Sequence, residues 1–119
     1  MVRKDPHNET AVDEAFRPTL TWMANEIAAG RAPQASNVRL RTADTWDVIV
    51  DIVEDYGETL VSLPEAAWET SVSQWMGGHW HVLVDLYTAA EGQSDLVMDV
   101  SIAETEAGFE YILHLVYVP

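Results

Sequence analysis

The sequence contains no cysteine, which excludes a disulfide framework, a thiol nucleophile and a cysteine-based zinc finger. No apolar run approaches the ~18 residues that a membrane-spanning helix needs, and the polar N-terminus lacks the apolar stretch of a secretory signal. No G-x-S-x-G, Walker or dinucleotide motif occurs. We therefore predict a cytoplasmic protein that does not contact a membrane. Because these motifs are missing, the sequence identifies no catalytic residue and no metal ligand, and it predicts no cofactor.

Lysine and arginine are absent from residues 42–119, which carry fifteen carboxylates. All six basic residues lie in the first 41 positions: Arg3, Lys4, Arg17, Arg31, Arg39 and Arg41. An uncompensated acidic surface repels phosphates and attracts cations and basic proteins. The sequence thus disfavours nucleic acid as a partner, and its five tryptophans are not accompanied by the basic groove that a stacking platform for bases needs.

The length of 119 residues and the hydrophobic content of 48% are typical of one folded domain with its own core. The polar residues 1–9 predict a flexible N-terminal arm, which leaves residues 10–119 for a single α+β domain. Within it we expect helices first, packed on one face of a C-terminal antiparallel meander of about four strands.

Two segments have the apolar spacing of amphipathic helices. The first is predicted to begin at Thr10, with Gly30 as its stop, but Pro18 requires either a kink or a start at Pro18 after a separate turn. The second is capped by Thr42 or Asp44. One side of this second helix is apolar and the other carries a row of carboxylates, named here the acidic ridge: Asp47, Asp51, Glu54, Asp55 and Glu58.

From Ser71 onward apolar residues recur at every second position, which predicts antiparallel strands. The Gly77-Gly78 pair suits a tight turn that sets Trp75 opposite Trp80. One face of the sheet should be apolar, and the alternation assigns to it Trp80, Val82, Val84, Leu86, Leu96, Met98, Val100, Ile102, Phe109, Tyr111, Leu113, Leu115 and Tyr117. Ser101 is assigned to the opposite face. This opposite face is predicted to display polar and apolar side chains together, and four of these are a candidate site if the strand register brings them close: His81, Asp85, Asp99 and His114.

Two imidazoles and two carboxylates suit a divalent metal or a general acid–base pair. The alternative is an ordinary half-exposed sheet face, because no ligand pair has a compact motif. A third interpretation is a homodimer contact through the apolar side chains predicted for the same face. These are Leu83, Tyr87, Val97, Ile112 and Val116.

The order of elements over residues 10–119 resembles the α+β roll of nuclear-transport-factor-like and cystatin-like proteins, which implies a sheet curled around a helix with a cavity. The segment from Trp80 to Thr88, followed by Glu91-Gly92 and Ser94-Asp95-Leu96, is similar to a hairpin of small uncharacterised bacterial domains. That second resemblance implies a fold and no activity.

Two functions remain open from the sequence. The first is a non-enzymatic interaction module, immunity- or antitoxin-like, whose acidic ridge docks a basic protein partner. An acidic face that is only solvated, as in a salt-adapted proteome, would show the same excess of carboxylates. The second is a small-molecule-binding or hydrolytic roll with a pocket between helices and sheet.

Overall fold

The computed structural model describes residues 2–119 as two α-helices, a short 3-10 helix and six strands. The helices are α1 (Arg17–Ala28) and α2 (Thr45–Tyr56), and the 3-10 helix spans Glu65–Glu69. The strands are β1 (Thr10–Ala11), β2 (Val38–Leu40), β3 (Val72–Trp75), β4 (Trp80–Thr88), β5 (Gly92–Thr105) and β6 (Gly108–Tyr117). The class is α+β, as predicted.

The strands form a single mixed sheet in the order β1-β3-β4-β5-β6-β2. The predicted antiparallel meander of about four strands corresponds to β3, β4, β5 and β6, but the sheet has two further strands, and β2 runs parallel to β6. Both additional strands lie at the edges and are only two and three residues long. Strands this short show no alternation that a sequence pattern can reveal.

The first helix starts at Arg17, with Pro18 in its first turn, where a missing amide hydrogen costs nothing. Thr10, predicted as the helix start, instead pairs with Ser73 as part of β1. Pro18 left open a kinked helix or a helix that starts near Pro18, and the structure has the start near Pro18. No helix within residues 2–119 is long and apolar enough to cross a membrane.

The hydrophobic core joins both helices to one face of the sheet. Leu20, Met23 and Ile27 of α1 and Ile49 of α2 belong to the same buried cluster as the inner residues of the central strands. The Gly77-Gly78 turn pairs Trp75 with Trp80, as predicted. The inner sheet residues in this cluster are Trp80, Val82, Val84, Leu86, Leu96, Met98, Val100, Ile102, Tyr111 and Leu113.

The second sheet face, named here the outer face, is built of cross-strand rows. One row runs from His81 through Ser101 to Ile112, and the next joins Leu83, Asp99 and Leu115. A β-bulge between these rows adds one residue to β6, so that Asp99 pairs with Leu115 and Val100 with Leu113. Beyond the bulge the alternation of β6 is inverted.

That inversion corrects the prediction for the end of β6. Val116, expected on the outer face, pairs with Met98 and is fully buried in the core. Leu115 and Tyr117, expected inside, pair instead with Asp99 and Val97 of the outer face. A one-residue insertion moves every following side chain to the other side of a sheet, because the side-chain period is two.

The N-terminal arm contacts the sheet through its backbone and one lysine. The carbonyl of Arg3 accepts a hydrogen bond of 2.9 Å from Trp80 Nε1. Lys4 Nζ lies 5.1 Å from the centre of the Trp75 ring and 3.1 Å from Glu104 Oε1. The flexibility of residues 1–9 and the single domain over 10–119 stay predictions.

Candidate functional site

The acidic ridge lies on the solvent side of α2 and just beyond its end. Asp47, Asp51 and Asp55 follow one another at intervals of four residues, so they form one row along the helix. Glu54 adjoins that row, and Glu58 follows the helix after Gly57, which ends α2 with a φ of 82°. All five side chains of the ridge are exposed.

Ion pairs within residues 2–119 leave the acidic ridge uncompensated. Four pairs join a lysine or arginine to a carboxylate from another part of the chain: Arg3–Asp5, Lys4–Glu104, Arg31–Glu26 and Arg39–Glu110. His81 also contacts Asp99, and this contact is an ion pair only when the imidazole is protonated. Most of the chain's few cations therefore neutralise acids outside the ridge, and the field of the ridge is not cancelled locally.

An apolar groove adjoins the ridge between α2 and the end of α1. Its volume is about 120 Å³. Only Thr45 and Ile49 of α2 are buried, so most of the helix's apolar side is half-exposed at this groove or beside it. The groove is lined by Ile27, Gly30, Trp46, Ile49, Val50, Val53 and Glu54. Glu54 thus belongs to both the groove and the ridge.

Three of the four residues of the predicted sheet-face site lie close together. His81 Nε2 is 2.8 Å from Asp99 Oδ1, and His114 Nε2 is 2.7 Å from the hydroxyl oxygen of Ser101. Strand pairing causes this arrangement, since His81 and Ile112 both lie opposite Ser101 and His114 follows Ile112 by two residues on the same face. The result is two adjacent hydrogen-bonded pairs, each with one imidazole.

The surroundings of these pairs shift two pKa values. Burial lowers the pKa of His114, while the charge of Asp99 opposes that change and the charges of Arg41, His81 and His79 add to it. Burial also raises the pKa of the Tyr117 hydroxyl, and Asp99 raises it further through its charge and a hydrogen bond. At neutral pH His114 is therefore an uncharged imidazole.

The fourth residue, Asp85, lies apart from this cluster. It pairs with Val97, and its carboxylate accepts a hydrogen bond of 2.6 Å from the Thr70 hydroxyl. Residues 2–119 contain no group of three or more His, Cys, Asp or Glu side chains arranged to hold a metal ion. The chemistry that the arrangement offers is that of a neutral imidazole beside a serine hydroxyl.

Two partners of the sheet-face cluster were not identified from the sequence as part of it. Ser101 was placed on the outer face by its alternation with Asp99, and that alternation was the available signal. Tyr117 was placed on the wrong face, because no residue pattern marks the bulge of β6. The groove beside the ridge was also missed, since its tryptophan and valines are the same residue types that fill a core.

A cleft of about 210 Å³ lies beside His114, at the start of α2. It is lined by Arg41, Thr42, Asp44, Thr45, Val48, His114 and Leu115. A second cleft, of about 290 Å³, lies where Val2 and Arg3 of the arm meet Trp80. The volume of the second cleft falls just below the ~300 Å³ at which typical small-molecule pockets begin, and that of the first is clearly smaller.

The chain belongs to the family described as Domain of unknown function (DUF7668), whose model matches residues 24–119. This agrees with the resemblance to small uncharacterised domains. No curated protein and no solved structure matches the chain. The comparisons therefore give no support to the resemblance to nuclear-transport-factor-like or cystatin-like proteins.

Proposed function

We propose that this protein is a non-enzymatic interaction module that docks a basic protein partner on α2, as immunity proteins and antitoxins do. The observation that carries this proposal is the apolar groove lined by Trp46, Val50 and Val53 beside carboxylates without an ion-pair partner in residues 2–119. A cytoplasmic location in a bacterium is part of the same proposal.

The two halves of the surface have different roles in docking. Apolar and aromatic side chains in a groove supply the buried contact that dominates binding energy, whereas charges at its rim supply orientation and rate. Trp46 is the aromatic anchor of the groove, and Glu54 brings a rim charge to its edge. The matching partner surface has one apolar side chain between lysine or arginine residues.

The net charge of −14 favours the same type of partner. A strongly acidic chain attracts a basic protein over several ångströms and so speeds encounter, and added salt screens this attraction. A partner built to bind phosphates, such as a nuclease, has a basic surface of this kind. Occupying that surface with carboxylates would block its access to nucleic acid.

The test is capture from cell extract at low salt with three forms of the chain as bait. One is wild type, one is the ridge variant Asp47→Asn, Asp51→Asn, Glu54→Gln, and the third is a control with the same charge change away from α2. The control carries Glu14→Gln, Glu65→Gln and Glu106→Gln, all at exposed positions. We expect a basic protein on wild type and control that is absent from the ridge variant.

The captured protein then allows a kinetic measurement. Its association rate should fall at least about tenfold between low and moderate salt, because steering between exposed charges is screened. Equal capture on all three baits, or an association rate that salt leaves unchanged, would contradict docking through the ridge.

The second candidate function is the binding or hydrolysis of a small molecule, by an α+β roll with a pocket between its helices and its sheet. The observation in its favour is the hydrogen bond of 2.7 Å between Ser101 and the neutral imidazole of His114, beside the cleft of about 210 Å³. A neutral histidine can accept the proton of a serine hydroxyl. Labelling of Ser101 by a fluorophosphonate probe, abolished by His114→Gln, would favour this candidate.

A further inference from the structure

We infer that the outer face of the sheet is a self-association surface on which a second copy of this chain docks, with a two-fold axis that runs along the strands. The surface does not include the acidic ridge or the groove of α2. This inference therefore goes beyond the proposed function and does not depend on it.

The outer face mixes apolar and polar side chains. Leu83 and Ile112 are half-exposed there, in the same rows as the two histidine pairs, whereas Val97 is already buried between its strand partners Asp85 and Tyr117. Half-exposed apolar side chains among hydrogen-bonded polar groups are the usual composition of a non-obligate protein interface.

The outer face is also nearly neutral, which is unusual in a chain with a net charge of −14. Two arginines stand against three carboxylates on this face, a formal charge of −1. These residues are Arg39, Arg41, Asp85, Asp99 and Glu110. Two such acidic molecules repel each other, so they can approach closely only through a face where charge is balanced.

The two charges without an ion-pair partner within residues 2–119 lie on opposite sides of this face. Arg41 follows β2 and acts on His114 of β6, whereas Asp85 lies on β4, across β5 from β6. In two stacked sheets related by an axis along the strands, the β6 side of one copy faces the β4 side of the other. Asp85 lies one row further along the strands than Arg41, about 6.6 Å away in that direction, a distance that the long arginine side chain can span. Arg41 of each copy then reaches Asp85 of the other copy, twice in one isologous interface.

The size of the face is that of a weak dimer. Its three long strands have about four outward residues each and its two short strands about two, and at spacings of about 4.8 Å and about 6.6 Å these positions cover roughly 500 Å² per copy. Two such faces together bury roughly 1,000 Å², which is typical of weak and transient interfaces. We therefore expect dissociation in the micromolar range.

Each central polar side chain of this face has a hydrogen bond within its own chain. His81 bonds to Asp99 and Ser101 to His114, in both cases through Nε2 of the imidazole. Polar groups that are hydrogen-bonded before they are buried avoid much of the desolvation cost. The second copy supplies apolar contact and the two edge charge pairs.

The test is the molar mass of the purified chain by sedimentation equilibrium, over a dilution series from about 1 μM to about 500 μM, which spans Kd values in the micromolar range. We expect a change from 13.3 kDa to twice that mass. Ile112→Glu at the centre of the face should raise the dissociation constant at least about tenfold, because an unpaired carboxylate is buried in each half. Met76→Glu is the control, with the same charge change at a side chain that is 54% exposed in the turn before β4.

A charge swap tests the proposed symmetry and does not depend on the folding of the Ile112 variant. Arg41→Asp and Asp85→Arg should each weaken the dimer, because each places like charges together across the axis. The double variant should restore it. A monomer throughout the dilution series, equal dissociation constants for Ile112→Glu and Met76→Glu, or a double variant no tighter than the single variants would overturn the inference. Circular dichroism establishes that each variant is folded.

Discussion

The acidic ridge of α2 and the outer face of the sheet both carry carboxylates, but the two surfaces differ in whether these carboxylates have partners within the chain. In the central rows of the outer face each one has a partner within the chain, as Asp99 has His81, Asp85 has Thr70 and Glu110 has Arg39. On the ridge none of the five takes part in an ion pair within residues 2–119. Identical residue types are therefore paired on one surface and left to solvent on the other.

The largest effect should come from detaching the ridge from the core. Ile49 is the one apolar side chain of α2 that is fully buried. Ile49→Ala should lower the free energy of unfolding by about 3 kcal/mol, through lost burial and the cavity left behind. Urea unfolding measures this loss. Val48→Ala on the same helix is the control, because Val48 is 42% exposed and its truncation should change stability by less than about 0.5 kcal/mol.

A loss of stability should also follow when a paired carboxylate of the outer face is removed. Asp99→Ala deletes the acceptor that His81 and Tyr117 use and should destabilise the fold by about 1 kcal/mol. Asp95→Ala, on the same strand but exposed, is the matched control. Equal unfolding midpoints in urea for the two variants would show that the pairing on the outer face does not stabilise the fold.

The pH dependence of stability should identify His114. Its pKa is lowered in the folded protein, chiefly by burial, so below a pH of about 6.5 the unfolded chain takes up the proton more readily. Stability contributed by the neutral imidazole is thus complete above that pH and decreases as the pH falls toward the folded-state pKa. His114→Gln should flatten this decrease in urea unfolding between about pH 7 and about pH 5. His7→Gln, in the exposed arm, should leave it unchanged.

The smallest expected effect is a gain in stability, and it should come from neutralising a carboxylate of the ridge. Asp51 lies four residues from both Asp47 and Asp55, and like charges at this spacing destabilise a helix by about 0.3 kcal/mol per pair. Asp51→Asn should therefore raise the unfolding free energy by roughly 0.5 kcal/mol at low salt, and the gain should vanish at high salt. Glu106→Gln, in a turn, should show no such gain. A ridge variant that destabilises would mean that its carboxylates have structural partners.

Much of the central fold was predictable, because its periodicity is strong. The alternation in β4 and β5 placed Val82, Val84 and Met98 inside, and the pair of glycines placed Trp75 opposite Trp80. The edge strands and the start of α1 were not predictable in the same way. Thr10 has the residues of a helix cap around it, yet backbone pairing with Ser73 takes it into the sheet.

The candidate site was predictable only in part, for a related reason. Residues within one regular element could be placed relative to one another, so the ridge row followed from spacing. His81 and Asp99 could be assigned to one face of the sheet, but their contact depends on the register of two strands. The bulge of β6 and the half-exposed groove beside Trp46 depend on how elements meet. Such contacts leave no periodic trace in a single sequence.

The most direct test of the account is a map of the contacts that the captured basic partner makes, measured by chemical-shift changes of backbone amides in the isotope-labelled chain. The account predicts changes over Thr45–Tyr56 and at the end of α1, near Gly30, that weaken together as salt is added. Changes centred on His81, Ser101 and Ile112, with α2 unaffected, would contradict it.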